Sequence, residues 1–150
     1  MKISLRDELP LIHDLVVELK SAGLNLDYNP RIEELREFLN FIFRVHRQIR
    51  KSPNFKSYER ALIETFEMST SQSLTREWAI AKYEGGISLS RVLIDLAAED
   101  VEEVYRERWA AIIDRACAKR IPPNNFVQEF DLVVSERRSG GKWTYLPGGK

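Results

Sequence analysis

Cysteine occurs once, at Cys117, and histidine twice, at His13 and His46. One thiol can form no internal disulfide, and an unpaired cysteine fits a reducing compartment, so a cytoplasmic protein is expected. Neither histidine stands in an H-E-x-x-H pattern or beside a cysteine at metal-ligand spacing, which leaves no metal site and no cofactor to expect. No apolar run approaches the roughly 20 residues of a membrane span, and the opening MKISLRDELP has no apolar stretch of signal-peptide kind. No membrane contact is expected. The Gly-Gly-Lys runs at 140–142 and 148–150 lack the rest of a phosphate-binding loop. Carboxylate pairs such as Glu33-Glu34 and Glu102-Glu103 are adjacent in sequence, so on a helix they do not face each other. Spacing alone permits a nucleophile built from Cys117 and a histidine, but the position suits apolar helix packing equally well. No catalytic residue is assigned and a non-enzymatic protein is expected.

Net charge is also missing, because 23 basic residues balance 23 acidic ones. A binder of polyanions that works through bulk charge is thereby disfavoured. The charges are unevenly distributed, however. Arg44, Arg47, Arg50, Lys51, Lys56 and Arg60 share a window with only Glu59, whereas Asp95, Glu99, Asp100, Glu102, Glu103 and Glu107 share one with only Arg106. A basic region facing nucleic acid with an acidic region facing a neighbouring protein would give this polarity, and so would two patches that stack copies of one chain.

What is present is helical periodicity. The 150 residues, 43% hydrophobic and 31% charged, suit one globular domain with a core of its own. The stretch from Asn29 to Lys51 reads as a long helix with Asn29 as N-cap and Pro30 at its first position. Leu35, Phe38, Leu39, Ile42, Val45 and Ile49 fall on one side of it and predict a buried face. On the other side Arg36, Asn40, Arg44, Arg47 and Lys51 follow at steps of four, four, three and four, with Phe43 and Arg50 at the edges. This stripe is either a solvated face or a track for phosphates with Phe43 as a stacking surface.

The remaining segments extend the pattern. Leu9 to Ala22 reads as a first helix with Gly23 as its stop; Asn54 to Glu67 as a third, with Phe55, Tyr58, Leu62 and Phe66 inward; and Leu74, Trp78 and Ala81 as a short fourth, ended by Gly85 and Gly86. After Ser88 or Ser90 a fifth helix carries Leu89, Val92, Leu93 and Leu96. Asp100 with Glu103 opens a sixth carrying Val104, Trp109, Ile112, Ile113 and Ala116. Along the sixth, Arg115 and Lys119, with Arg108, make a second basic row. Phe126, Phe130 and Val133 favour one more helix over a strand turning at Gly140-Gly141. The expected fold is all-α, a compact bundle of about six or seven helices over residues 1–136 with a flexible, Gly-rich, basic and aromatic tail at 137–150. Arg137, Arg138 and Lys142 give that tail its charge, and Trp143 either folds back on the bundle or meets a partner.

Ser57-Tyr58-Glu59-Arg60, the long helix from Val101 to Arg120 and the closing Arg138-Ser139-Gly140-Gly141-Lys142-Trp143 resemble the small subunit of type I CRISPR effector complexes. The likeness is to the type I-D form, which is similar to the C-terminal helical domain of that system's large subunit. The resemblance implies a non-catalytic subunit of an RNA-guided antiviral complex that stacks in copies beside other subunits. It also implies contact with guide RNA or with target or displaced DNA backbone through Arg44, Arg47, Arg50 and Lys51, with Arg115 and Lys119 as a second row. The zero net charge departs from what a strand-binding subunit leads one to expect. The alternative is a helical protein-protein adaptor that touches no nucleic acid.

Overall fold

The computed structural model describes residues 9–24, 26, 31–65 and 88–140, the last five of these by backbone alone. The regular elements among them are all helical: α1 (Ile12–Leu24), α2 (Ile32–Lys51), α3 (Phe55–Glu64), α4 (Leu89–Ala97), α5 (Glu103–Ala118), the 3₁₀ turn η1 (Pro123–Asn125) and α6 (Phe126–Gly140). The all-α bundle expected from periodicity is the fold. The helix expected around Trp78 lies outside the described residues, as do Trp143 and Lys142.

The centre of the bundle is α4 rather than the longer α2. All nine residues of α4 are buried, and α1, α2, α3 and α5 pack around it. Ser88 starts it by accepting the Arg91 backbone N–H at 3.4 Å, which satisfies one of the donors a helix start leaves over. Its apolar residues Leu89, Val92, Leu93, Ile94, Leu96 and Ala97 form one broad arc against its neighbours. Two charged residues are buried with them, Arg91 and Asp95. Asp95 Oδ1 accepts from Arg91 Nε at 2.8 Å and from Arg106 Nη1 at 2.6 Å, while Arg91 Nη2 donates to Glu103 at 2.8 Å. Burial alone would weaken the Arg91 guanidinium's hold on its proton, but hydrogen bonds and charge from Asp95 and Glu103 outweigh it and raise its pKa. The network ties α4 to the start of α5.

α2 runs beside this centre and touches α3, α4, α5, η1 and α6. Its predicted inner face is buried in full, and Phe38 meets Trp109 of α5 edge-on with ring centroids 5.9 Å apart. Its start differs from expectation: Arg31 is the N-cap, and Glu34 Oε1 accepts the Arg31 backbone N–H at 3.0 Å. This half of a capping box places a carboxylate at the positive helix end, so the first turn forms after Pro30. The helix stops at Lys51 because Ser52 is extended (φ −76°, ψ 139°), as the following Pro53 demands.

Other boundaries are corrected in the same way. Gly23 does not stop α1 but lies within it; a Cβ there would meet the Ala97 carbonyl oxygen at 1.8 Å, so the close approach of α1 to the end of α4 at this point needs a residue without a side chain. α5 begins after Glu102 rather than at Asp100, and Val104, expected inside, is 43% exposed. α5 ends with Arg120 in the left-handed region (φ 57°) while Ile121 N–H bonds Ala116 O at 3.0 Å, a Schellman closure on a residue other than glycine. The segment from Phe126 is helix, not strand, and continues to Gly140. The break expected at Arg137 therefore falls inside α6.

Candidate nucleic-acid interface

Helical spacing brings the basic residues of α2 to one side, but the bundle then treats them differently. Arg36 Nη1 is paired with Asp131 of α6 at 3.1 Å. Arg50 Nε is paired with Glu59 of α3 at 3.0 Å, and its guanidinium lies over Phe55 with the ring centroid 5.1 Å away. In the second row, Lys119 Nζ and Arg115 Nε meet the buried carboxylate of Glu129 at 3.0 and 3.6 Å. Glu129 sits under two cations that would otherwise face solvent, so that row is bound to α6. Of Arg137 and Arg138 the structure gives only the helical backbone, and Lys142 lies outside the described residues.

Three candidates remain together. Arg44, Arg47 and Lys51, with Gln48 between them, form one wall of a cleft of about 660 Å³ that is closed by Ser52, Pro53 and Pro123. Among the described residues no carboxylate pairs with any of these three cations. The concavity arises because α2 stops at Ser52 and the chain turns at Pro53, while η1 brings Pro123 against the same end of the helix. Gln48 belonged to the same helical steps as Arg44 and Lys51 and was open to sequence reasoning. Pro123 was not, because IPPNN reads only as a helix stop.

Phe43 is corrected. It is fully buried and stacks on Phe126 with centroids 4.7 Å apart and planes at 21°, so no face is left for a base. Arg47 lies on its outer side, 5.9 Å from the ring centroid. The Phe43–Phe126 stack is therefore lidded by the guanidinium of Arg47, which also lines the cleft.

On the buried side of α2, the fold joins two residues that sequence left apart. Cys117 Sγ lies 3.5 Å from His46 Nδ1. Burial, reinforced by Arg50 and Arg47 and opposed by Asp114, lowers the His46 pKa from 6.5 to about 4. Burial and then Asp114 raise that of the Cys117 thiol, against the pull of Arg47 and Arg50. Both shifts favour the uncharged forms, whereas an activated cysteine needs a thiolate beside an imidazolium. The pair is packing chemistry, and it adds no charge to the cleft near neutral pH.

The acidic window is also partly absorbed. Asp95 is buried, Glu103 and Glu107 reach Arg91 at 2.8 and 3.8 Å, and Glu99 reaches Lys20 at 3.8 Å. The expected acidic face has its counter-charges on α1, α4 and α5 because Arg91 and Lys20 lie outside the window that sequence counting considered. No group of His, Cys, Asp and Glu among the described residues is arranged to hold a metal, and none of the described helices is long and apolar enough to cross a membrane.

Fold and cleft define a helical bundle with a local concentration of positive charge that no carboxylate among the described residues pairs. No family model, curated protein or solved structure matches the chain.

Proposed function

We propose that the chain is a non-catalytic subunit of a larger RNA-guided nucleoprotein assembly, and that it meets nucleic-acid backbone at the cleft of Arg44, Arg47 and Lys51. The observation that supports this is the sorting of the cations. Arg36, Arg50, Arg115 and Lys119 each have a carboxylate, while these three share a concave surface with none among the described residues. These three neighbouring cations share one concave surface, whereas the four just named are drawn into pairs with α3 and α6. The resemblance to type I CRISPR small subunits supplies the setting: stacked copies, other subunits of the complex, and a guide, target or displaced strand. Because the acidic window is largely matched within the bundle, copies that stack would do so on other surfaces.

The test is binding of single-stranded DNA and RNA as a function of salt, with the intact chain and with the variant Arg44→Ala/Arg47→Ala/Lys51→Ala. Three phosphate contacts give a log-log salt slope of about −2 on a single strand, and the variant should lose most of it while keeping its helical signal. An unchanged slope would remove the cleft from the interface. Absence of salt-sensitive binding within the assembly would favour the adaptor reading.

A further inference from the structure

The cation cleft does not end at Lys51. Two of the residues that close it, Ser52 and Pro53, also line a second concavity of about 590 Å³ between the entry to α1 and the first turns of α3. Its volume falls within the roughly 300–1,000 Å³ of ligand-binding sites. Pro10, Leu11 and Ile12 contribute to it from the entry to α1, and Pro53, Tyr58 and Ala61 from the turn and α3. Leu11 is 73% exposed, more than any other large apolar side chain among the described residues. Tyr58 Oη donates to Pro10 O at 2.6 Å, which ties the two sides together and holds the ring in place. Burial, and then Glu18, pushes the phenol's pKa up to about 12, so the ring stays neutral beside a polyanion.

Polar groups stand among these apolar ones, because Ser52, Asn54 and Ser57 line the same concavity. Asn54 precedes α3 without giving its side chain to the cap. Ser52 Oγ accepts the Asn54 backbone N–H at 3.2 Å and keeps a hydroxyl hydrogen to donate. An unpaired base presents just such a double demand, apolar or aromatic surface for its faces and hydrogen-bonding groups for its edge.

Resting on the function proposed above, we infer that the strand whose phosphates lie along Arg44, Arg47 and Lys51 turns an unpaired base into this second concavity, against Tyr58, Pro53 and Leu11. Lys51 and Ser52 are consecutive, with Cα atoms about 3.8 Å apart, so a nucleotide held by its phosphate at Lys51 has the concavity beside it. A protein segment suits the apolar part alone. A strand suits both parts, since each base it carries stands next to a phosphate. A base paired and stacked in a duplex must first be extruded to enter, so the ligand class is single-stranded nucleic acid.

The experiment follows the anisotropy of three labelled ligands at fixed salt: an oligothymidylate, an abasic oligonucleotide of the same length, and a duplex of that length. The proteins are the full-length unsubstituted chain, Tyr58→Leu, Leu11→Asn, and Arg44→Ala/Arg47→Ala/Lys51→Ala. Tyr58→Leu is expected to weaken the thymidylate about fivefold or more and Leu11→Asn about threefold, while both variants hold the abasic strand and the duplex within about twofold of the unsubstituted chain. The triple variant should weaken all three ligands. Equal losses on thymidylate and abasic strands in Tyr58→Leu and Leu11→Asn would overturn the inference. Unchanged thymidylate binding in both would overturn it too, and leave the concavity to a protein segment, with the proposed function still standing on the triple variant. No loss on any ligand in the triple variant would instead refute the proposed function itself. Should Tyr58→Leu unfold the entry to α1 by losing its bond to Pro10, Leu11→Asn decides alone: the Leu11 carbonyl accepts the Leu15 N–H at the start of α1, where asparagine is a favoured residue.

Discussion

His46 shows how a single buried residue can couple stability to pH. Its imidazole is buried on α2 against Cys117, and burial lowers its folded-state pKa from 6.5 to about 4. The folded protein thus binds this proton less readily than the unfolded chain. Stability from the site is complete above pH 6.5 and is lost as pH falls from there through about 4. Between pH 7 and pH 5 the expected loss is about 2 kcal/mol. Urea denaturation of the unsubstituted chain and of His46→Gln at both pH values isolates it, since contributions from other groups cancel in the difference. Equal pH dependence in the two proteins would mean that the ring is not buried as described.

At the scale of elements, α4 is held by polar contacts as well as by its apolar surface. Asp95 accepts from both Arg91 and Arg106, and Asp95→Ala would leave the buried Arg91 guanidinium without its main partner. Removing one side of a buried ion pair costs about 3–5 kcal/mol, while replacing both sides with apolar groups can be near neutral. Asp95→Ala is therefore expected to lower the urea midpoint steeply and Arg91→Met/Asp95→Leu to recover much of it. Equal midpoints for Asp95→Ala and the unsubstituted chain would show that apolar packing alone seats the helix. Element positions were readable in the sequence because burial repeats with the helical period: Leu89, Val92, Leu93 and Leu96 mark α4, and Phe126, Phe130 and Val133 mark α6. Their ends were less readable. Asn29-Pro30 and Asp100 are good local starts, but Arg31 with Glu34 and Glu102 set the true ones. Gly23 looked like a stop because its tight approach to Ala97 joins residues far apart in the chain.

For the whole molecule, the sequence yields the list of cations but not their pairing. Arg36 and Asp131 are 95 residues apart, and nothing local in either segment announces the other. Only the packing of α2 against α6 makes Arg36 a paired residue, while Arg44, about two turns further along, has no carboxylate partner among the described residues. The consequence is a sharp distinction between bulk and local charge. Two triple variants, Arg36→Ala/Arg50→Ala/Arg60→Ala and Arg44→Ala/Arg47→Ala/Lys51→Ala, each reduce the 23 basic residues by three and carry the net charge from zero to −3. The first set removes cations already paired at the surface with Asp131, Glu59 and Glu64, where such pairs contribute about 0–1 kcal/mol each. If phosphate binding followed net charge, both variants would weaken it alike. The sorting of cations predicts instead that the first binds a labelled single strand within about threefold of the unsubstituted chain and the second at least about tenfold more weakly, measured by anisotropy at fixed salt. Equal losses in the two variants would return the cleft to the status of an ordinary solvated face, with the affinity belonging to the charge of the chain as a whole.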